Sequence, residues 1–151
     1  MLQKISLAAL WVSTGLLLVV MAVQGISGNW AVFYLVWPGS NVGGTFLDFV
    51  AQLANYHVSA GYVIGGFSIL VIIFAFLSRA SIYVRAFAIV GFALTASAAY
   101  GGYSFVNSAF QDRLSLGQMA DSFVGAFAAF FLQLFFMGRK TKFPWSRLKG
   151  G

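Results

Sequence analysis

The chain has no cysteine, no glutamate, one histidine and two prolines among its 151 residues, and only 8% of it is charged. Without cysteine there are no disulfides, iron–sulfur clusters, thiolate zinc sites or thiol catalysis. One histidine and three aspartates, Asp48, Asp112 and Asp121, cannot supply a hydrolase triad, a hydrolytic metal centre or the chain of buried carboxylates that a proton relay needs. Soluble domains carry roughly 25% charged residues, so the polar coat of a water-facing surface is missing too. This shortage excludes a soluble enzyme, a disordered tail and a nucleic-acid-binding domain. The net charge of +6 and the pI near 10.0 reflect few acids rather than a basic patch, since nine Lys and Arg face three Asp.

What remains is apolar: 60% of residues are hydrophobic and 18% aromatic, with a mean hydropathy of +0.88. Crossing a hydrocarbon core of about 30 Å takes about 20 residues at 1.5 Å each. Four runs are long enough, from about Ile5 to Ile26, His57 to Leu77, Tyr83 to Phe105 and Met119 to Met137. They are continuous rather than alternating, which argues against barrel strands. The expectation is an all-α polytopic membrane protein with four transmembrane helices, one domain over 1–151 and a basic tail over 138–151.

Between the first two spans lies a connection from Ser27 to Tyr56, too long for a bare turn. Its first half holds Trp30, Phe33, Tyr34 and Trp37, then the turn signal Pro38-Gly39-Ser40-Asn41 and the flexible Gly43-Gly44. Its second half, Thr45 to Asn55, sets Phe46, Phe49, Val50 and Leu53 at helical spacing around Asp48 and Gln52. It reads as a short interfacial helix or as an extension of the second span.

Cations fix the orientation. Lys4, Arg79, Arg85, Arg139, Lys140, Lys142, Arg147 and Lys149 all fall on one side, whereas the two opposite connections share only Arg113. Short basic loops stay inside, so both termini are expected in the cytoplasm of a cell-membrane protein. The first apolar run is too long for a cleaved signal peptide and reads as retained. Phe143 and Trp145 among the tail cations suit contact with anionic lipid, although inside anchoring accounts for the tail equally well.

The one chemistry open to a lone histidine here is axial ligation, of haem iron or of chlorophyll magnesium. Gly61 and Gly65 follow His57 at four and eight residues on one helical face, continued by Ser68 and Ile72. Small residues leave room for a flat macrocycle, and equally let two helices approach in lipid. A second haem ligand would have to be methionine. Met119 lies 20 residues above Arg139 and His57 22 above Arg79, a depth difference of about 3 Å. Ser122, Ala126 and Ala129 continue below Met119, with Gln133 ending that face; Met21 is a weaker alternative, and water or nothing at the sixth position stays open. Gly91, Thr95, Ala98 and Gly102 give the third span a small-residue face. At its outer end Tyr100, and beyond it Arg113, suit haem propionates or a plain interfacial belt and loop charge.

A four-span chain with His57-x-x-x-Gly61-Tyr62 entering the second helix from the outside resembles the small four-helix membrane b-type cytochromes and uncharacterised four-span proteins like them. The resemblance implies haem b and one-electron transfer near the outer face. Members of that class usually carry a second histidine, where this chain has Gln118-Met119. The sequence therefore points to an integral subunit of a larger membrane redox or respiratory complex. Its own catalytic set is absent, its partners are other membrane subunits and lipids, and nucleic acid is not among them. A cofactor-free accessory or scaffold subunit and a pigment- or quinone-binding bundle are the alternatives.

Overall fold

The computed structural model describes residues 2–36, 44–108 and 111–140, with side chains outside 29–36, 44–51, 53–54 and 140. The turn signal Pro38 to Asn41, the aromatics Trp30, Phe33, Tyr34 and Trp37, the apolar side chains Phe46, Phe49, Val50 and Leu53, and the tail aromatics Phe143 and Trp145 therefore lie outside the described residues or side chains. Four helices follow one another: α1 Leu2–Val36, α2 Gly44–Leu77, α3 Ile82–Asn107 and α4 Arg113–Lys140. Each holds a stretch long and apolar enough to cross a membrane: Leu2–Gly28, Asn55–Leu77, Ile82–Asn107 and Arg113–Arg139. The chain is an integral membrane protein built as a four-helix bundle.

Both prolines, Pro38 and Pro144, lie outside these helices, and in hydrocarbon a helix is the element that satisfies its own backbone. The segment read as a short interfacial helix or as an extension of the second span is the latter: helix runs unbroken from Gly44 through the span as the beginning of α2, with no proline or turn to stop it. α4 starts at Arg113, six residues before Met119, because Asp112 caps it. The Asp112 carboxylate accepts from the Leu114 and Ser115 backbone N–H groups at 3.0 and 3.3 Å, and Ser115 Oγ donates to its other oxygen. The Ser115 hydroxyl, followed by its N–H, holds the Asp112 carboxyl below the ordinary carboxylate range.

Short connections make sequential helices antiparallel neighbours. Between α2 and α3 the chain reverses over four residues, 78–81. The Ala80 N–H donates to Ala75 O at 3.2 Å and the Arg79 N–H to Phe76 O at 3.0 Å, a Schellman closure with Arg79 in the left-handed region at φ 52°. Ser81 Oγ then accepts from the Val84 N–H to cap α3. α1 packs along α2 and α3 along α4; α2 meets α3 and α4 meets α1 more lightly, closing a ring in chain order.

Burial recurs at steps of three and four on every helix. The buried positions include Leu10, Leu17, Met21 and Gln24 on α1, and Ile64, Ser68, Val71 and Ala75 on α2. On α3 they include Val84, Ala88, Gly91 and Thr95, and on α4 Ser122, Ala126, Phe130 and Gln133. A sustained heptad step is the mark of near-parallel, left-handed packing. Small and polar residues occupy much of this seam, while Val19, Ile69, Ile89, Val124 and Phe131 face outward. Lipid removes the hydrophobic drive between helices, so close contact and hydrogen bonds hold the seam while the large apolar side chains meet the hydrocarbon.

Candidate functional site

His57 is the residue on which any cofactor chemistry turns, and α1 determines its surroundings. Gln24 Nε2 donates to the His57 carbonyl at 2.8 Å. One turn further along α1, Gly28 admits the imidazole itself: a Cβ built there would stand 3.0 Å from Nδ1 and 3.3 Å from Nε2, and closer still to Cε1. The ring therefore rests on the α1 backbone with both nitrogens on that side. His57 Nδ1 and Gln24 Oε1 are buried with no hydrogen-bond partner among the described residues.

The same register governs the far end of this pair. Gln3 Nε2 donates to Ser78 O at 3.2 Å. From Gln3 to Gln24 on α1, and from His57 to Ser78 on α2, the separation is the same 21 residues (24 − 3 and 78 − 57). Two glutamine-to-carbonyl bonds about 30 Å apart thus lock one antiparallel register, and His57 stands at one end of it.

Met119 belongs to the other hairpin. A Cβ on Gly102 of α3 would lie 3.1 Å from the Met119 sulfur, and one on Gly101 would lie 2.8 Å from the Met119 backbone nitrogen. Ser122 is buried beside it, its hydroxyl 2.9 Å from that of Ser97, which also accepts from Gln118 Nε2 at 3.3 Å.

Of the residues that sequence reasoning gathered round a macrocycle, the structure thus places His57 on the α1–α2 seam and Met119 and Ser122 on the α3–α4 seam. Gly61 is exposed, 3.8 Å from Gln24 Nε2 by its built Cβ, and Gly65 has no atom within 4 Å of that position. The Gly61-x-x-x-Gly65 stripe is not a close-packing contact inside the described bundle. Tyr100 is 65% exposed, and Arg113 is exposed in the first turn of α4. The imidazole and the thioether each lie over a glycine of the neighbouring helix in their own hairpin, Gly28 and Gly102.

Sequence reasoning missed Gln24 and Gly28. Gln24 had a signal, being the one amide inside the first apolar run. A second polar layer lies nearer the Lys4 end, where Gln133 Nε2 reaches Thr14 Oγ1 at 3.5 Å, both residues fully buried, with Gln133 Oε1 unpartnered among the described residues. Comparison with protein-family models, with curated proteins and with solved structures finds no match.

Proposed function

We propose that the chain is a cofactor-free accessory subunit of a larger complex in the cell membrane, with both termini in the cytoplasm. The observation that carries this reading is the seat of His57. The one imidazole of the chain packs against Gly28, in a register that Gln24 fixes through the His57 carbonyl. An imidazole placed to pack against a glycine supports the cofactor-free reading over the redox role implied by the cytochrome resemblance.

What the chain offers is its outer wall. No span has more than 39% of its most apolar window buried inside the bundle, and Val12, Val19, Tyr62, Ile89, Val124 and Phe131 are among the large side chains left exposed. Such walls take lipid and neighbouring helices alike. Lys4, Arg79 and Arg139 at one end and Arg113 alone at the other support the inside-anchored orientation.

The test is isolation from native membranes in mild detergent. The chain is expected to migrate with stoichiometric membrane partners and to show no b-type absorption band on reduction. A solitary monomer would overturn the subunit reading. A reduced-minus-oxidised band that His57→Ala removes would restore the haem.

A further inference from the structure

We propose that the outward face of α4 around Asp121 docks a transmembrane helix of another protein bearing a lysine or arginine at matching depth. This rests on the accessory-subunit reading and names the partner's chemistry.

Asp121 is exposed, on the side of α4 that also presents Gly117, Gln118, Val124 and Ala128. Its depth follows from the helix. Arg113 and Arg139 bracket the span and stand 26 residues apart, about 39 Å, close to the thickness of a bilayer with its headgroups. Asp121 is eight residues from Arg113, about 12 Å along the axis. With a hydrocarbon core of about 30 Å centred in that length, the Asp121 Cα lies about 7 Å inside it. No hydrogen bond or ion pair reaches it from the described residues. Intramembrane carboxyls are rare and are met by a cation or a donor.

The chain has no cation of its own to offer. On that half of the bundle the sequence contains only Arg113, a full 12 Å away along the same helix, while Lys4, Arg79, Arg85, Arg139 and the tail cations belong to the other end. A second copy in the same orientation brings its Arg113 at the same offset and sets its Asp121 against the first, so self-association supplies no cation at this depth. Lipid ammonium groups sit in the headgroup layer, outside the core. A helix-borne cation is the complement that reaches this depth. Beside it, the exposed Gln118 is tethered to Ser97, which is tied to Ser122. This short polar ladder extends the patch across the α3–α4 lip. Gly117, with no atom within 4 Å of a built Cβ, leaves room for close approach.

The absence of cysteine allows a single label at Tyr103→Cys, an exposed site on α3. The labelled chain is reconstituted in phosphatidylcholine vesicles with a fluorescent Leu/Ala transmembrane peptide carrying one lysine about five residues inside its apolar core, or none. Energy transfer is expected to show association about tenfold tighter for the lysine peptide. Asp121→Asn, with helicity checked by circular dichroism, should bring it to the level of the control. Equal association of the two peptides, or indifference to Asp121→Asn, would overturn the proposal. So would loss of the lysine preference in phosphatidylethanolamine vesicles, which assigns the carboxyl to headgroups, or a self-association that Asp121→Asn abolishes, which assigns it to a second copy. A failure here in a chain that still migrates with native partners removes only this face; a chain solitary in native membranes removes the subunit reading.

Discussion

Gly101 is the position where a single methyl group tests the packing most directly. A Cβ there would stand 2.8 Å from the Met119 nitrogen, 2.9 Å from the Ser115 carbonyl oxygen and 3.1 Å from the Met119 Cα. All three are α4 backbone, so no side chain can swing aside, and α3 and α4 would have to part by about half an ångström to reach ordinary contact. Overpacking of this kind costs about 1–3 kcal/mol, against a helix-propensity gain of up to about 1 kcal/mol for Gly→Ala. The neighbouring Gly102 is the control, because its built Cβ meets the Met119 sulfur at 3.1 Å, the movable end of a flexible side chain. Gly66, exposed with nothing within 4 Å, is the blank. Unfolding in mixed micelles followed by tryptophan fluorescence should rank Gly101→Ala below Gly102→Ala and Gly66→Ala, by about 1–3 kcal/mol relative to Gly66→Ala. Gly101→Ala as stable as Gly66→Ala would refute the backbone contact and the α3–α4 register built on it.

Gly28→Ala should destabilise the α1–α2 pair by about 1–3 kcal/mol, and His57→Ala in the same chain should recover most of that loss in a double-mutant cycle, since the imidazole is the obstacle. Arg79→Gly relieves a side chain held at φ 52° and should raise the unfolding free energy by about 1 kcal/mol; a loss would mean that the charge outweighs the strain. Because the folded Asp112 carboxyl is held below its ordinary value, its capping contribution is present above the unfolded pKa and lost as pH falls through the folded one. Asp112→Ala should therefore flatten the acid limb of a stability-versus-pH curve. Gln133→Leu exchanges a fully buried amide with an orphaned oxygen and one long hydrogen bond for an apolar side chain, and should be neutral or stabilising by up to about 1 kcal/mol in the same unfolding assay. A loss above about 2 kcal/mol would show the amide satisfied by an interior water.

The spans were legible because lipid imposes a length and forbids interruption, and the apolar runs reproduce the four helices to within a few residues at most ends. The early start of α4 had a signal in Asp112-x-x-Ser115, a capping pattern ahead of an apolar run. The relative level of His57 and Met119 was legible as well, from residues counted along each helix. Direction around the helix axis was not. The Gly28–His57 contact lies one turn along α1 from the Gly25–Phe123 contact with α4, which puts the imidazole and Met119 near one level. They nevertheless lie on different seams, and a match in depth carries no information about the side from which a residue is faced.

The missing information is the register between helices, and glutamines and glycines write it jointly. Gln3 and Gln24 fix how α1 slides against α2 through carbonyls that any residue would supply, so the acceptor side leaves no mark in the sequence. Gly28, Gly91 and Gly101 fix where α1 meets the His57 ring, where α3 meets the Phe130 ring and where α3 meets the α4 backbone, each a vacancy matched to a bulk on another helix. In a soluble bundle the large apolar residues at the seam would have advertised these contacts. Here the bilayer draws most of them outward, and the seam is specified by small residues and amides whose partners come into view only when the helices are side by side. The same inversion accounts for His57. At an interface held by close approach, an imidazole opposite a glycine fills a hole.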